Sequence, residues 1–196
     1  MSHDLPTITT HDGRRQFACT PTALVCFVVN TEEQILFLSH PNSGGRWEVI
    51  NGALEHGETL LEGCLREIGE EAGPEIQVRP LSVLHAYSFA YDAAVSHMTS
   101  LCFVFGYEGG AVIPGDDMAG SGVRWASVDE ITRGEVDVIV PRQVPWLFAR
   151  AVEHYRLYKD RAPAMFQPPM GRDPHPKYPK QTAAERNANN PASGGR

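Results

Sequence analysis

The segment 58–72 constrains this chain more than any other. Leu61, Cys64, Leu65, Ile68 and Ala72 recur at i, i+3, i+4, i+7 and i+11, which places five apolar side chains on one stripe of an α-helix. Gly73-Pro74 follows, a common way for a helix to stop. A helix with a single apolar stripe must be covered by another layer, so the chain must build a layered domain. The same helix carries Glu67, Glu70 and Glu71 at i, i+3 and i+4, a cluster of carboxylates on an adjoining face. That cluster is unfavourable twice. Like charges cost on the order of 1 kcal/mol or more per pair at intermediate dielectric, and the last turns of a helix prefer cations. No lysine offsets them, since the only one in the first 160 residues is Lys159. A solvated acidic face is one reading of such a run. The other is a cage for a hard divalent cation, Mg²⁺ or Mn²⁺, which turns the repulsion into binding.

The surrounding sequence alternates strand and helix signals. Segments 17–29 and 34–39 read as a hairpin of strands, 40–46 as a Pro/Asn/Ser/Gly loop and 47–50 as a short strand. Segments 76–91 and 98–107 read as two more strands, 109–122 as a loop, 123–126 as a short strand and 144–159 as a closing helix. Strands on both sides of one helix, with a second helix late in the chain, imply an α/β class.

Charge narrows the partners. The net charge of −7 divides into a body, residues 1–160, with 11 basic and 22 acidic groups, and a segment 161–196 with six basic against two acidic. So acidic a body argues against nucleic acid and anionic membrane surfaces as partners. Segment 161–196 is proline-rich with few large hydrophobes and reads as a flexible basic tail. Residues 1–16 lack a secretory pattern, and no apolar run is long enough to span a bilayer. Cys19, Cys26, Cys64 and Cys102 form no CxxC and sit among apolar neighbours, which reads as buried, reduced thiols in a cytoplasmic protein.

Reading forward from Gly52, five residues lead to Glu58 and seven more to Arg66-Glu67-Ile68-Gly69-Glu70-Glu71-Ala72-Gly73. This resembles the signature of the Nudix hydrolases, and seven fixed identities match at the required spacing. A chance match is on the order of one in 10^8 per window at average residue frequencies. The chain departs from the signature at Pro74, where an aliphatic residue is usual, and at Ile50-Asn51-Gly52, where Pro-Gly-Gly is frequent. Asn51 is expected to replace glycine there because asparagine tolerates left-handed backbone angles.

The resemblance implies an α/β/α sandwich with a mixed β-sheet, and a division into an N-terminal arm (1–16), a hydrolase domain (17–160) and the tail (161–196). It further implies Mg²⁺-dependent cleavage by water of a diphosphate linkage in a nucleoside diphosphate joined to another moiety. By that likeness Glu67 and Glu71 are direct metal ligands, Glu70 is a further ligand or holds a metal-bound water, and the Gly52 region lends a carbonyl. Arg66 and Glu58 form an ion pair that orients Glu67. The base is a box glutamate or an acid on the 109–122 loop, Asp117 or its neighbour Asp116. Arg46, Trp47 and Tyr91 are candidate substrate contacts: Arg46 for a phosphate, Trp47 for stacking on a base, and Tyr91 because it is placed like the downstream tyrosine of the family's dinucleoside polyphosphate hydrolases, although strand aromatics also serve packing. The expected partner is a small anionic nucleotide-like molecule. A ligand-binding regulator without turnover and an isoprenoid diphosphate isomerase are the alternatives. The last helix could face its own sheet or a second copy, which leaves a homodimer open.

Overall fold

A computed structural model describes residues 6–39, 44–141 and 145–161. In chain order the strands are β1 (Thr7–Thr9), β2 (Gln16–Ala18), β3 (Thr22–Val29), β4 (Ile35–Ser39), β5 (Trp47–Glu48) and β6 (Ile50–Ala53). Helix α1 (Leu60–Ala72) follows, then β7 (Gln77–Phe89), β8 (Met98–Gly109), β9 (Val123–Ala126), α2 (Val128–Thr132), β10 (Val138–Val140) and α3 (Pro145–Tyr158).

The central strands are buried on both faces, and their alternation feeds two cores. From β3, Val25, Phe27 and Val29 join one cluster while Leu24, Cys26 and Val28 join the other. Strand β4 divides likewise, Ile35 and Phe37 against Leu36 and Leu38. The first core is closed by Leu147, Phe148, Ala151 and Val152 of α3, the second by Cys64, Ile68 and Ala72 of α1. Each fully buried Leu, Val, Ile or Phe contributes about 1.5–3 kcal/mol. The sheet is mixed: β3 runs parallel to β8 and β10 to β5, while β3–β6, β4–β9, β4–β5 and β7–β8 are antiparallel. The architecture is the α/β/α sandwich expected from the sequence.

Several local expectations are corrected. The strand expected over 17–29 is broken after Ala18, and β2 instead pairs antiparallel with β1 in a hairpin whose six strand residues are all exposed. Pro21 lies in the break, where its missing N–H cannot serve a ladder. Helix α1 begins at Leu60, two residues late, because Thr59 caps it: its hydroxyl accepts the Glu62 N–H while the Glu62 carboxylate accepts the Thr59 N–H. Leu65, expected in the core, is 43% exposed, and Cys19 is exposed as well. Helix α2 and strand β10 escape sequence reading because five and three residues carry too little periodicity. Of the expected tail, 162–196 lies outside the described residues. Among the described residues no helix is long and apolar enough to cross a membrane.

Candidate metal centre

Two strands and one helix build the site. Strand β3 holds β6 in register, Leu24 opposite Gly52 and Val25 opposite Asn51. Helix α1 packs on both strands through its apolar stripe, which turns Glu67 and Glu71 inward toward β6. Both are buried, at 8% and 7% exposure, whereas the Glu70 side chain is 42% exposed. The three carboxylates therefore do not share one solvated face, because the helical turn divides them between the β6 side and solvent.

Gly52 is the complement of Glu67. A Cβ at residue 52 would stand 2.0–2.2 Å from the carboxyl atoms of Glu67, so only glycine admits that carboxylate against the strand. From the neighbouring residue, the Asn51 N–H donates to Glu71 Oε2 at 3.3 Å. The Asn51 side-chain amide donates to Glu48 Oε2 at 3.3 Å and to the Val49 carbonyl at 2.9 Å. Asn51 is a strand residue and does not take the left-handed backbone expected of it: among the described non-glycine residues only Glu33 and Asp116 have positive φ. What asparagine adds over glycine is the side-chain amide that ties residue 51 to Glu48 and the Val49 carbonyl; the bond to Glu71 comes from the main chain.

Arg66 ties the carboxylates together. Its Nε donates to Glu58 Oε1 at 2.7 Å and its Nη2 to Glu58 Oε2 at 3.2 Å. Nη1 donates to Glu67 Oε1 at 2.8 Å and Glu70 Oε2 at 2.9 Å, and Nη2 also reaches the Ala53 carbonyl at 2.9 Å. These bonds occupy all the N–H groups of a guanidinium, the geometry that lysine cannot reproduce. Hydrogen bonds from Arg66 and from the Glu55 N–H hold the Glu58 carboxyl below its ordinary range. Glu67 is driven the other way, its carboxyl raised by burial against the opposing pull of Arg66. Behind it, burial, the Cys64 thiol and the fields of Glu71 and Glu67 keep the Cys26 thiol protonated.

The donor set suits a hard cation in part. Glu67 and Glu71 are two buried oxygen donors against the Asn51–Gly52 backbone, in a segment, 52–73, with six carboxylates and one guanidinium. Among the described residues, no three His, Cys, Asp or Glu side chains are gathered closely enough to enclose an ion, because Glu70 and one oxygen of Glu67 turn to Arg66.

The remaining candidates lie elsewhere. Arg46 is exposed just before β5, and the Trp47 ring packs, half-buried, against the α3-side core. Tyr91 is 70% exposed at the tip of the β7–β8 hairpin, with β8 and β3 between it and β6. Asp116 and Asp117 fall in a single 3₁₀ turn, Asp116–Met118, beside the C-terminal end of α1, and the Asp117 side chain lies outside what is described. Sequence reading missed the Asn51 bond to Glu71, since its donor is a main-chain N–H that any residue but proline carries.

Residues 20–147 match the NUDIX domain family. The NAD-capped RNA hydrolase NudC of Photobacterium profundum is 31% identical over 114 residues, 57% of this chain and 40% of that protein. The ADP-ribose pyrophosphatase of Methanocaldococcus jannaschii is 31% identical over 99 residues, 50% of this chain and 57% of that one. The chain thus spans about two-fifths to three-fifths of the length of these relatives. Among solved structures, an ADP-ribose pyrophosphatase from Streptococcus suis 89-1591 superposes with a TM-score of 0.56 at 17% identity, covering 70% of this chain and 93% of that one. The MutT protein from Methanosarcina mazei Go1 gives 0.55 at 21% identity, covering 70% and 96%. At such identities the likeness concerns the fold.

Proposed function

The chain belongs to the NUDIX domain family, and from that membership we propose that it hydrolyses the diphosphate linkage of a nucleoside diphosphate joined to another group. The observation that carries this reading is the burial of Glu67 and Glu71 against a strand glycine that alone admits the Glu67 carboxylate. Glu67 and Glu71 would hold Mg²⁺ or Mn²⁺, with Glu70 and the Gly52 carbonyl as further donors. The ion supplies charge neutralisation at the diphosphate and a more acidic water. Arg66 keeps Glu67 and Glu70 in place and is itself held by Glu58. The attacking water bonds to one phosphorus, the bridging oxygen leaves with the other phosphate, and a glutamate of the box or an acid of the 109–122 loop takes the water's proton. Arg46 contacts a phosphate; Trp47 is left out because its ring serves the core, and Tyr91 because β8 and β3 stand between it and β6. The names of the two curated relatives share an adenosine diphosphate linked through its distal phosphate, so NAD and ADP-ribose come first among substrates.

The test is a panel of NAD, ADP-ribose, dinucleoside polyphosphates and nucleoside triphosphates with Mg²⁺, scored by product analysis and repeated with Glu71→Gln. At least one member is expected to be cleaved at its diphosphate, with a loss of about 100-fold or more in the variant. Activity that survives the substitution would sink the ligand assignment. If no member turns over while one raises the melting temperature, the protein is a ligand-binding regulator instead.

A further inference from the structure

Helix α1 stops at Gly73. It has no basic side chain in its last turn, and its terminal carbonyls need donors. The donors come from a loop some forty residues later: the Ile113 N–H bonds to the Ala72 carbonyl at 2.8 Å, and the Gly115 N–H to the Glu71 carbonyl at 3.3 Å. Such close main-chain approach requires Gly73, whose φ is +99° and where a Cβ would stand 2.4 Å from the Ile113 carbonyl oxygen. Beyond Gly115 the chain turns sharply through Asp116, at φ +48°, and is anchored by Met118, 1% exposed in the same core as Cys64, Ile68 and Ala72. The loop is thus fastened to α1 at both ends of the segment 113–118.

We infer that the main-chain N–H groups of Ile113 and Gly115 are positioning groups for Glu70 and Glu71, clamping the last turn of α1 so that the carboxylates and the acidic turn Asp116–Asp117 keep one fixed spacing. The clamp rests on the hydrolase reading only for what those carboxylates hold. Its mechanical logic is simple. The turn that carries Glu70 and Glu71 is the one that frays first in an uncapped helix, and a frayed turn cannot hold two oxygen donors at a fixed separation.

Ile113→Pro deletes the donor, whereas Ile113→Ala keeps it and removes only an exposed side chain, 59% exposed in the native chain. In the full chain, Mn²⁺ affinity read from the free-ion resonance is expected to fall about 10–100-fold in Ile113→Pro and to stay unchanged in Ile113→Ala. A folded Ile113→Pro protein that binds Mn²⁺ as tightly as the native one overturns the clamp. Amide hydrogen exchange on the native chain decides the question even if the proline variant does not fold or the native chain binds no Mn²⁺. The Ile113 and Gly115 amides are expected to exchange as slowly as those of the last turn of α1. Exchange at the rate of an exposed loop overturns the inference. Absence of Mn²⁺ binding in the native chain, with slow exchange at both amides, leaves the clamp standing and counts against the proposed metal assignment alone.

Discussion

Gly52→Ala isolates the contact on which the site depends. Gly52 sits in extended backbone outside the positive-φ region, so alanine meets no conformational penalty of its own. Its Cβ, however, would lie 2.0 Å from Glu67 Cδ, and real Cβ atoms essentially never come within 3.0 Å of a heavy atom outside their own residue and its chain neighbours. The carboxylate must therefore retreat by about 1 Å or more, the difference between those two distances. Pushing the side chain off its rotamer costs about 0.5–1.5 kcal/mol. Losing the charge-assisted bond from Arg66 costs about 1.5–3 kcal/mol, so about 4.5 kcal/mol is an upper bound on the damage to stability. Glu67 gains water as it retreats, which offsets part of that, and a melting-temperature drop of a few degrees is expected. Activity should suffer more, since a displacement of about 1 Å at a reacting centre costs about 100-fold. The assay is kcat/KM with Mg²⁺ alongside calorimetry, in the native background and with Glu67→Ala. Without the Glu67 carboxylate the new methyl has room, so Gly52→Ala should become nearly neutral for stability in that second background. An equal loss of stability in both backgrounds would refute the reasoning.

Other substitutions test the rest of the frame. Gly69→Ala, on the same helix, places a methyl where nothing lies within 4 Å, so it should stabilise by about 0.5–1 kcal/mol through helix propensity and leave kcat/KM unchanged. Burial raises the Glu67 carboxyl, so the stability tied to its proton is complete below the unfolded pKa and is lost as pH rises through the folded one. In EDTA, Glu67→Gln should therefore melt higher than the native chain at pH 7 and gain little at pH 4, while losing activity. A pH-independent difference in calorimetry would count against it. Glu130, at the first turn of α2, is pulled down to about 2 by the Ser127 backbone and hydroxyl and by Arg124. Its contribution is present above the unfolded carboxylate pKa and lost as pH falls from there toward about 2. Glu130→Gln should flatten the acid limb of the stability curve in that window.

The large features were legible because they rest on long periodic runs. Thirteen residues of α1 with one apolar stripe and the six consecutive buried residues of β3, Leu24–Val29, leave little freedom of assignment. The box spacing also placed Glu58 and Arg66 eight residues apart, a separation that brings them together only if the chain folds back before α1. Other features depend on partners distant in sequence. Neither the bond from Asn51 to Glu71 nor the docking of Ile113 on Ala72 leaves a periodic trace, because each is a single main-chain donor meeting an acceptor that the fold supplies. Leu65 failed as a core residue because it lies at the margin of the stripe, where one step of helical rotation separates cover from solvent.

The two-faced strand β3 has a practical consequence. It is the common wall of both cores, and each core carries a half-buried tryptophan, Trp47 on the α3 side and Trp125 on the α1 side. A wall shared in this way cannot peel from one side and stay in place on the other. With the exposed Trp146 replaced by Phe, fluorescence from Trp47 in a Trp125→Phe chain should therefore report collapse of the glutamate-bearing side. The transition should fall at the same temperature as that of Trp125 in a Trp47→Phe chain. The distant indole then serves as an optical gauge of site integrity that needs no ligand and touches no carboxylate.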